Sequence, residues 1–351
     1  MESFSTLALI GIFACGAIAT WIAGIYLSLT TDALDFRWKL GDAIGGMILL
    51  SVSGSLPEMA ITMSAAAEHN LPLAAGNLIG GIAMQTMVLA ICDMFVKGKK
   101  PLSYLVGSLM PVLEASLVMA IVAIVFMGSM LPKSIAIFGV SPASIVIIMV
   151  WVLGIAILNK VRNSPAWEIT MQGSKPGRPH RRIAHPTFHH PYEKLSTTRI
   201  FILFLIGSIV TLAAGVALAI SSTVLSDRFH INGVVFGATI LAAASALPEI
   251  STGIAAVRLG DHQLVMSDVF GGNAFQLCLF VLADIMAGTP ALPQSGVENG
   301  WLAAVGILLT ALYASSVVLR PAKRYLRLGL DSLVAILAFI IGIAGLMFVT
   351  H

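Results

Sequence analysis

About ten long runs of apolar residues alternate along the chain with short polar segments. The hydrocarbon core of a bilayer is about 30 Å thick, and a helix needs about 20 apolar residues to cross it. Each run therefore predicts a transmembrane helix. The predicted spans cover residues 5–30, 41–67, 72–95, 104–129, 136–159, 199–223, 231–257, 263–287, 299–319 and 329–350. The pattern indicates an all-α polytopic membrane protein with about ten transmembrane helices.

The longest polar stretch, residues 161–198, is rich in basic residues, histidines and prolines. It divides the predicted spans into two groups of five. We therefore predict a first five-helix unit at 1–160, a linker at 161–198, and a second five-helix unit at 199–351.

Basic residues indicate how the chain is oriented, because Lys and Arg are retained on the cytoplasmic side. If the N-terminus lies outside, all of the 20 basic residues except Lys133 and Arg228 fall on the cytoplasmic side. This bias predicts that both termini face outside and that the linker at 161–198 is cytoplasmic. The expected location is the plasma (inner) membrane.

Composition supports the membrane assignment and excludes other classes. The chain is 58% hydrophobic and only 11% charged, with a net charge of +3. Soluble domains carry about 25% charged residues, so a single soluble fold is excluded. No basic stripe is available for a nucleic acid. Neither HExxH nor GxSxG occurs, which argues against an enzyme, and no cofactor is predicted.

Two segments repeat between the halves. The first half contains SLPEMAITMSAA and then GNLIGGIAMQ, whereas the second contains ALPEISTGIAA and then SDVFGGNAFQ. In both halves the same spacing separates Glu, Gly-Gly and Gln; the equivalent pairs are Glu58 and Glu249, Gly80 and Gly271, and Gln85 and Gln276. Because each half has an odd number of spans, the second half enters the membrane from the opposite side. Inverted repeats of this kind occur in secondary transporters, with the binding site near the midplane.

Glu58 and Glu249 are the strongest candidates for function, because a carboxylate inside the membrane is costly without a cation, a proton or a cavity. Each follows a proline, Pro57 or Pro248, which interrupts the helix and frees backbone carbonyl oxygens. A cation could bind those oxygens. The alternative is a proline kink with a protonated, hydrogen-bonded Glu.

Further oxygen ligands are expected near the glutamates; the candidates are Gln85, Gln276, Asn77, Asp268, Ser55, Ser245, Thr62 and Thr252. An all-oxygen set is typical of a hard cation, and its flexible geometry favours calcium over magnesium. The two carboxylates can be neutralised by one divalent cation or by two monovalent cations or protons, which suggests exchange. For the glutamines, hydrogen bonding between helices is an alternative role.

Three other features remain open. Glu114 is a further acid inside an apolar span, either a proton relay or a packing residue. Asp93 and Asp284 fall near span ends, and we expect them at the membrane interface or in a vestibule. The histidines of the linker, His180, His185, His189 and His190, could sense pH or bind a metal, although a solvated basic loop is the simpler interpretation.

The paired S/A-L-P-E segments, each followed by G-x-x-x-G-G or its S-D variant, resemble the alpha repeats of the sodium/calcium exchanger family, within the cation/calcium antiporter superfamily. The resemblance implies that Glu58 and Glu249 bind calcium and the counter-ion. It also implies a core of spans two, three, seven and eight, gated by sliding of spans one and six. The chain departs from the family at two pairs of positions: Gln85 and Gln276 replace its usual Asn or Asp, and Gly81 and Gly272 replace its usual Ser.

We therefore expect a secondary active transporter that exchanges calcium for sodium or protons by alternating access, with the paired glutamates at the midplane. The alternatives are a divalent-cation channel or an antiporter for another divalent cation. The expected partners are calcium, monovalent cations or protons, and the lipid bilayer. The sequence does not identify which proteins are partners.

Overall fold

A computed structural model describes residues 3–38, 51–163, 192, 195–294 and 296–350. Its helices are α1 Thr6–Trp38, α2 Leu56–Ala67, α3 Leu71–Phe95, α4 Leu102–Leu105, α5 Met110–Ser129, α6 Pro142–Asn163, α7 Thr197–Arg228, α8 Gly233–Phe236, α9 Ala242–Ser245, α10 Leu247–Leu259, α11 His262–Gln276, α12 Phe280–Ala287, α13 Val297–Leu319 and α14 Leu330–Val349. A π-helical turn, Gly237–Leu241, joins α8 to α9, and 3-10 turns occupy Leu277–Leu279 and Leu292–Gln294. The strands β1 Arg324–Tyr325 and β2 Leu328–Gly329 form a short antiparallel hairpin.

Within these residues, 8 helices are long and apolar enough to cross a membrane. The helical segments Gly233–Ser245 and Leu247–Leu259, bent by 46° at the break between them, make a ninth span when they are counted together. Of the predicted span at 41–67, residues 41–50 lie outside the described part, while 51–54 and α2 are helical. The prediction of an all-α polytopic membrane protein is confirmed.

The two longest helices extend beyond the predicted spans. Helix α1 continues to Trp38 instead of ending at residue 30, and α7 covers Thr197–Arg228 instead of 199–223. Their last turns contain polar residues, so a criterion based on apolar residues ends too early. Span four is also shorter than predicted: α5 begins at Met110, with Pro111 in its first turn, where a missing N–H costs nothing.

Both Leu-Pro-Glu segments begin a new helix. Ser55 interrupts the helical backbone before α2, and Ala246 interrupts it between α9 and α10. Pro57 and Pro248 occupy the first turn of the new helix, where proline is tolerated. The predicted helix breaks are therefore present, and they place Glu58 and Glu249 at helix N-termini.

Helices α1 and α7 form a peripheral pair that packs along its length. Only 28% of the apolar window of α1 and 33% of that of α7 are buried. An arginine forms a hydrogen bond at each end of the pair. Arg37 donates to the carbonyl of Leu195 at 2.5 Å, and Arg228 donates to the carbonyl of Phe4 at 2.7 Å. The sequence offset that relates Glu58 to Glu249 also relates Arg37 to Arg228 and Phe4 to Leu195. The two arginine contacts are therefore equivalent in the internal repeat.

Helix α3 is the most buried span, with 78% of its apolar window inside the protein. Its glycines allow contact with α8 and the π-helical turn: a Cβ on Gly76 would lie 2.8 Å from the Cα of Val234 in α8, and one on Gly80 would lie 2.4 Å from the Cα of Ala238 in the turn. Only glycine permits this approach, so the Gly-rich part of α3 serves close helix packing.

Asp93 and Asp284 lie near the ends of their helices and are buried in the protein, which excludes the predicted position in an open vestibule. Both side chains are 0% exposed. Asp93 accepts a hydrogen bond from the backbone N–H of Gly329 at 2.6 Å, immediately before α14. Asp284 accepts one from the N–H of Ser141 at 2.9 Å, immediately before α6. Each aspartate thus fixes the start of a helix in the other half of the chain.

Candidate cation site

The first glutamate lies where the two halves meet. Glu58 is 1% exposed, and its Oε1 accepts a hydrogen bond from Nε2 of Gln85 at 3.5 Å. The hydroxyl of Ser245, from the second half, also reaches the Glu58 carboxylate. Sequence reasoning grouped these three residues, and the fold brings them together.

Both glutamates have an oxygen without a hydrogen-bond partner. Oε2 of Glu58 and Oε2 of Glu249 are buried, and neither has a partner among the described residues. A buried carboxylate without compensation costs several kcal/mol, so it requires a cation or a proton. This requirement applies to both halves of the chain.

A small cavity of about 50 Å³ lies beside Glu249. Its volume is enough for a cation or one to two water molecules. Among the predicted ligands, its lining includes Glu249, Asp268, Thr252, Gln85 and Ser55. The cavity therefore has two acidic side chains from the second half and an amide from the first half.

The cavity also contains hydroxyl groups that sequence reasoning missed. These additional lining residues are Ser28, Ser51, Ser53 and Thr211. Thr211 lies on α7, outside the two repeated segments that drew attention in the sequence. One signal could have revealed it: TLAAG at 211–215 repeats TWIAG at 20–24 in the register of the Leu-Pro-Glu segments.

The other predicted ligands lie away from the described cavity lining. Gln276 is 1% exposed, and its Nε2 donates to the carbonyls of Asn77 at 3.3 Å and Leu78 at 3.0 Å. The Asn77 side chain is 0% exposed, and its amide has no partner in the described part of the chain. Thr62 is likewise fully buried, with no described partner for its hydroxyl.

The two glutamines occupy unequal environments although their positions are equivalent. A Cβ on Gly81 would lie 2.3 Å from Nε2 of Gln276, so this amide packs directly on α3. A Cβ on Gly272 would lie 3.9 Å from Oε1 of Gln85. The surroundings of Gln276 are thus closed, whereas those of Gln85 border the cavity.

Glu114 lies near this region without lining the cavity. It is 3% exposed and lies near Ser267, the residue before Asp268. This position is compatible with either predicted role, proton relay or packing residue. The linker histidines His180, His185, His189 and His190 lie outside the described residues.

The fold and the site together define a class. A polytopic helical protein that holds carboxylates and amide oxygens around a small internal cavity is a membrane transport protein for cations. The chain belongs to the sodium/calcium exchanger family: the family described as "Sodium/calcium exchanger protein" matches residues 8–159 and 200–350. It is therefore a transporter and not an enzyme, and a multi-pass integral membrane protein.

Individual relatives are distant. The inner membrane protein YrbG of Escherichia coli (strain K12) is 24% identical over 288 residues, which are 80% of this chain and 81% of the relative. Among solved structures, native YfkE aligns with a TM-score of 0.63 at 13% identity, covering 95% of this chain and 91% of that one. The H+/Ca2+ exchanger CAX aligns with a TM-score of 0.62 at 14% identity over 97% and 87%.

A sodium-calcium exchanger, NCX_Mj, aligns with a TM-score of 0.57 at 15% identity, covering 97% of this chain and 99% of that one. At these identities the structural comparisons show the fold alone. They establish that this chain shares the architecture of exchangers over almost its whole length.

Proposed function

We propose that the chain is a secondary active antiporter that exchanges Ca²⁺ for Na⁺ or H⁺ by alternating access. The observation that carries this proposal is the cavity beside Glu249, which Asp268 and Gln85 also line. Glu58 lies behind it and is joined to Gln85. The cavity is therefore lined by carboxylates from the second half, and the carboxylate of Glu58, from the first half, lies directly behind Gln85.

The chemistry of these groups favours a hard cation. Carboxylate, amide and hydroxyl oxygens suit Ca²⁺, which accepts six to eight oxygens in flexible geometry. No group of three or more His, Cys, Asp and Glu side chains suited to a resident metal occurs among the described residues.

Exchange follows from charge balance. Glu58 and Glu249 are neutralised by one divalent cation or by two monovalent cations or protons, so the two kinds of ion compete. Relatives with this fold include an H+/Ca2+ exchanger and a sodium-calcium exchanger, which represent both possible counter-ions. A divalent-cation channel and an antiporter for another divalent cation remain the alternatives.

The unequal environments of Gln85 and Gln276 support alternating access. We propose that the halves are inverted repeats, 1–160 and 199–351, with both termini outside and 161–198 in the cytoplasm. In that orientation the cavity lies on the cytoplasmic side of the glutamates. If the surroundings of Gln276 opened and those of Gln85 closed, the cavity would lie on the opposite side of the glutamates. Such a change is expected of inverted-repeat transporters.

The counter-ion can be identified with purified protein in liposomes. Calcium uptake is measured with an outward Na⁺ gradient at uniform pH, and then with an outward H⁺ gradient without sodium. We expect one gradient to accelerate uptake and the other to leave it at the rate without a gradient. Calcium uptake at the same rate under all conditions would contradict antiport, and acceleration by Mn²⁺ gradients alone would indicate a different divalent substrate.

A further inference from the structure

The TWIAG and TLAAG segments place α1 and α7 over the helix breaks. A Cβ on Gly24 would lie 2.6 Å from the side chain of Pro248, and one on Gly215 would lie 2.9 Å from the carbonyl oxygen of Pro57. Thr20 precedes Gly24 by four residues, so it lies on the same helix face. Thr211 has the same relation to Gly215.

Thr211 is one of the residues that line the described cavity. It lines this space together with Glu249 and Asp268. The residue is 0% exposed, and its hydroxyl has no hydrogen-bond partner among the described residues. Thr30, by contrast, donates to the Tyr26 carbonyl of its own helix at 2.9 Å. An unsatisfied buried hydroxyl is unfavourable, and at Thr211 a ligand in the cavity could satisfy it.

Thr20 is the equivalent residue of the first half, and its hydroxyl is also buried without a described partner. However, it is not among the described residues that line the cavity. The two acidic cavity residues, Glu249 and Asp268, are partly exposed, whereas their equivalents in the first half, Glu58 and Asn77, are 1% and 0% exposed. The arrangement around Thr20 is therefore a closed copy of the arrangement around Thr211.

We propose that Thr211 is a cation ligand when the site is accessible from the side of the present cavity, and that Thr20 replaces it when the site is accessible from the opposite side. The ligand class is a hard divalent cation such as Ca²⁺, because a hydroxyl oxygen adds a neutral, hard donor to the carboxylates. This inference rests on the proposed antiport. It assigns to α1 and α7 a direct part in binding, beyond covering the helix breaks.

The test measures calcium affinity separately at the two faces. Inverted membrane vesicles expose the cytoplasmic face, and right-side-out vesicles expose the other. Thr211→Val keeps the shape of the side chain and removes the hydroxyl, so it should raise the half-saturating calcium concentration roughly three- to tenfold at the cytoplasmic face. Thr20→Val should do so at the opposite face. Maximal rates should change less than affinities.

Matched variants control for packing. Thr310 on α13 is 0% exposed, and its hydroxyl also has no described partner, but it is not among the described cavity residues. Thr310→Val should leave both affinities unchanged. Thr211→Ser and Thr20→Ser retain the hydroxyl and should restore most of the affinity. If a valine variant fails to reach the membrane, its serine variant should still bind like the wild type and its alanine variant should not.

Two results would overturn the inference. One is an affinity for Thr211→Val and Thr20→Val equal to that of Thr310→Val at both faces. The other is an equal loss at both faces for either variant. Equilibrium calcium binding to the purified protein in detergent provides a readout that does not require transport. If the wild-type protein binds calcium but shows no coupled flux, antiport is refuted. The role of Thr211 is then decided by comparing calcium binding to the wild type and to Thr211→Val.

Discussion

Replacing Glu58 or Glu249 by Gln is expected to reduce calcium flux to that of protein-free liposomes. Glutamine retains the size and one oxygen but removes the charge, so the pair of glutamates would supply only one of the two negative charges that balance a divalent cation. An uncompensated charge in the membrane interior costs several kcal/mol. Since each 1.4 kcal/mol is a factor of ten, the loss should be at least about 100-fold.

This prediction is measured as calcium uptake with an imposed counter-cation gradient. The matched control is Glu68→Gln, because Glu68 follows the last residue of α2 and is exposed. It should transport like the wild type. Detergent-purified variants should elute as the same folded species, so that a flux loss reports the site. Unchanged flux in both Glu58→Gln and Glu249→Gln would refute the assignment of the site.

Asp93→Ala and Asp284→Ala are expected to cause the largest loss of stability. Asp284 accepts a second backbone hydrogen bond, from Ala291 at 2.6 Å. Asp93 likewise accepts one from Leu102 at 2.8 Å and a third from the hydroxyl of Ser332 at 2.9 Å. Removing either carboxylate leaves several buried donors unsatisfied, at about 1–3 kcal/mol each. We expect at least about 3 kcal/mol less stability per variant.

Thermal unfolding of the purified protein in detergent measures this loss. Asp261→Ala is the control, because Asp261 caps α11 through one hydrogen bond to the N–H of Leu264 at 3.0 Å, near the surface. Loss of such a cap costs about 1 kcal/mol. Asp93→Ala and Asp284→Ala should therefore melt well below Asp261→Ala. Equal melting temperatures for all three variants would show that the buried aspartates do not anchor α6 and α14.

Much of the fold could be predicted because the bilayer imposes strong rules on sequence. Apolar length identified the spans, and Pro57 and Pro248 identified the helix breaks. Apolar length did not predict the end of α1, because its last turns contain polar residues. One of them, Arg37, donates a hydrogen bond to the chain just before α7. Such a contact depends on which helices become neighbours, which hydropathy does not encode.

Site residues could be predicted where their type is rare inside an apolar span, and could not be predicted where their type is common there. Two acids inside apolar spans stood out, and Gln85 and Ser245 indeed reach Glu58. Thr211 did not stand out, because a threonine in a membrane helix commonly bonds to its own helix, as Thr30 does. The burial of Asp284 was not predicted, because a buried anchor and an interfacial acid look alike in sequence. Only the tertiary structure distinguishes these cases.

Calcium accumulation against its own gradient tests the central claim most directly. Liposomes containing the wild-type protein are loaded with a high concentration of the counter-cation, and free calcium inside is recorded with a trapped indicator. We expect internal calcium to rise above the external concentration and to fall when the gradient is dissipated. Calcium that only equilibrates, at the same rate with and without the gradient, would contradict antiport and identify a channel.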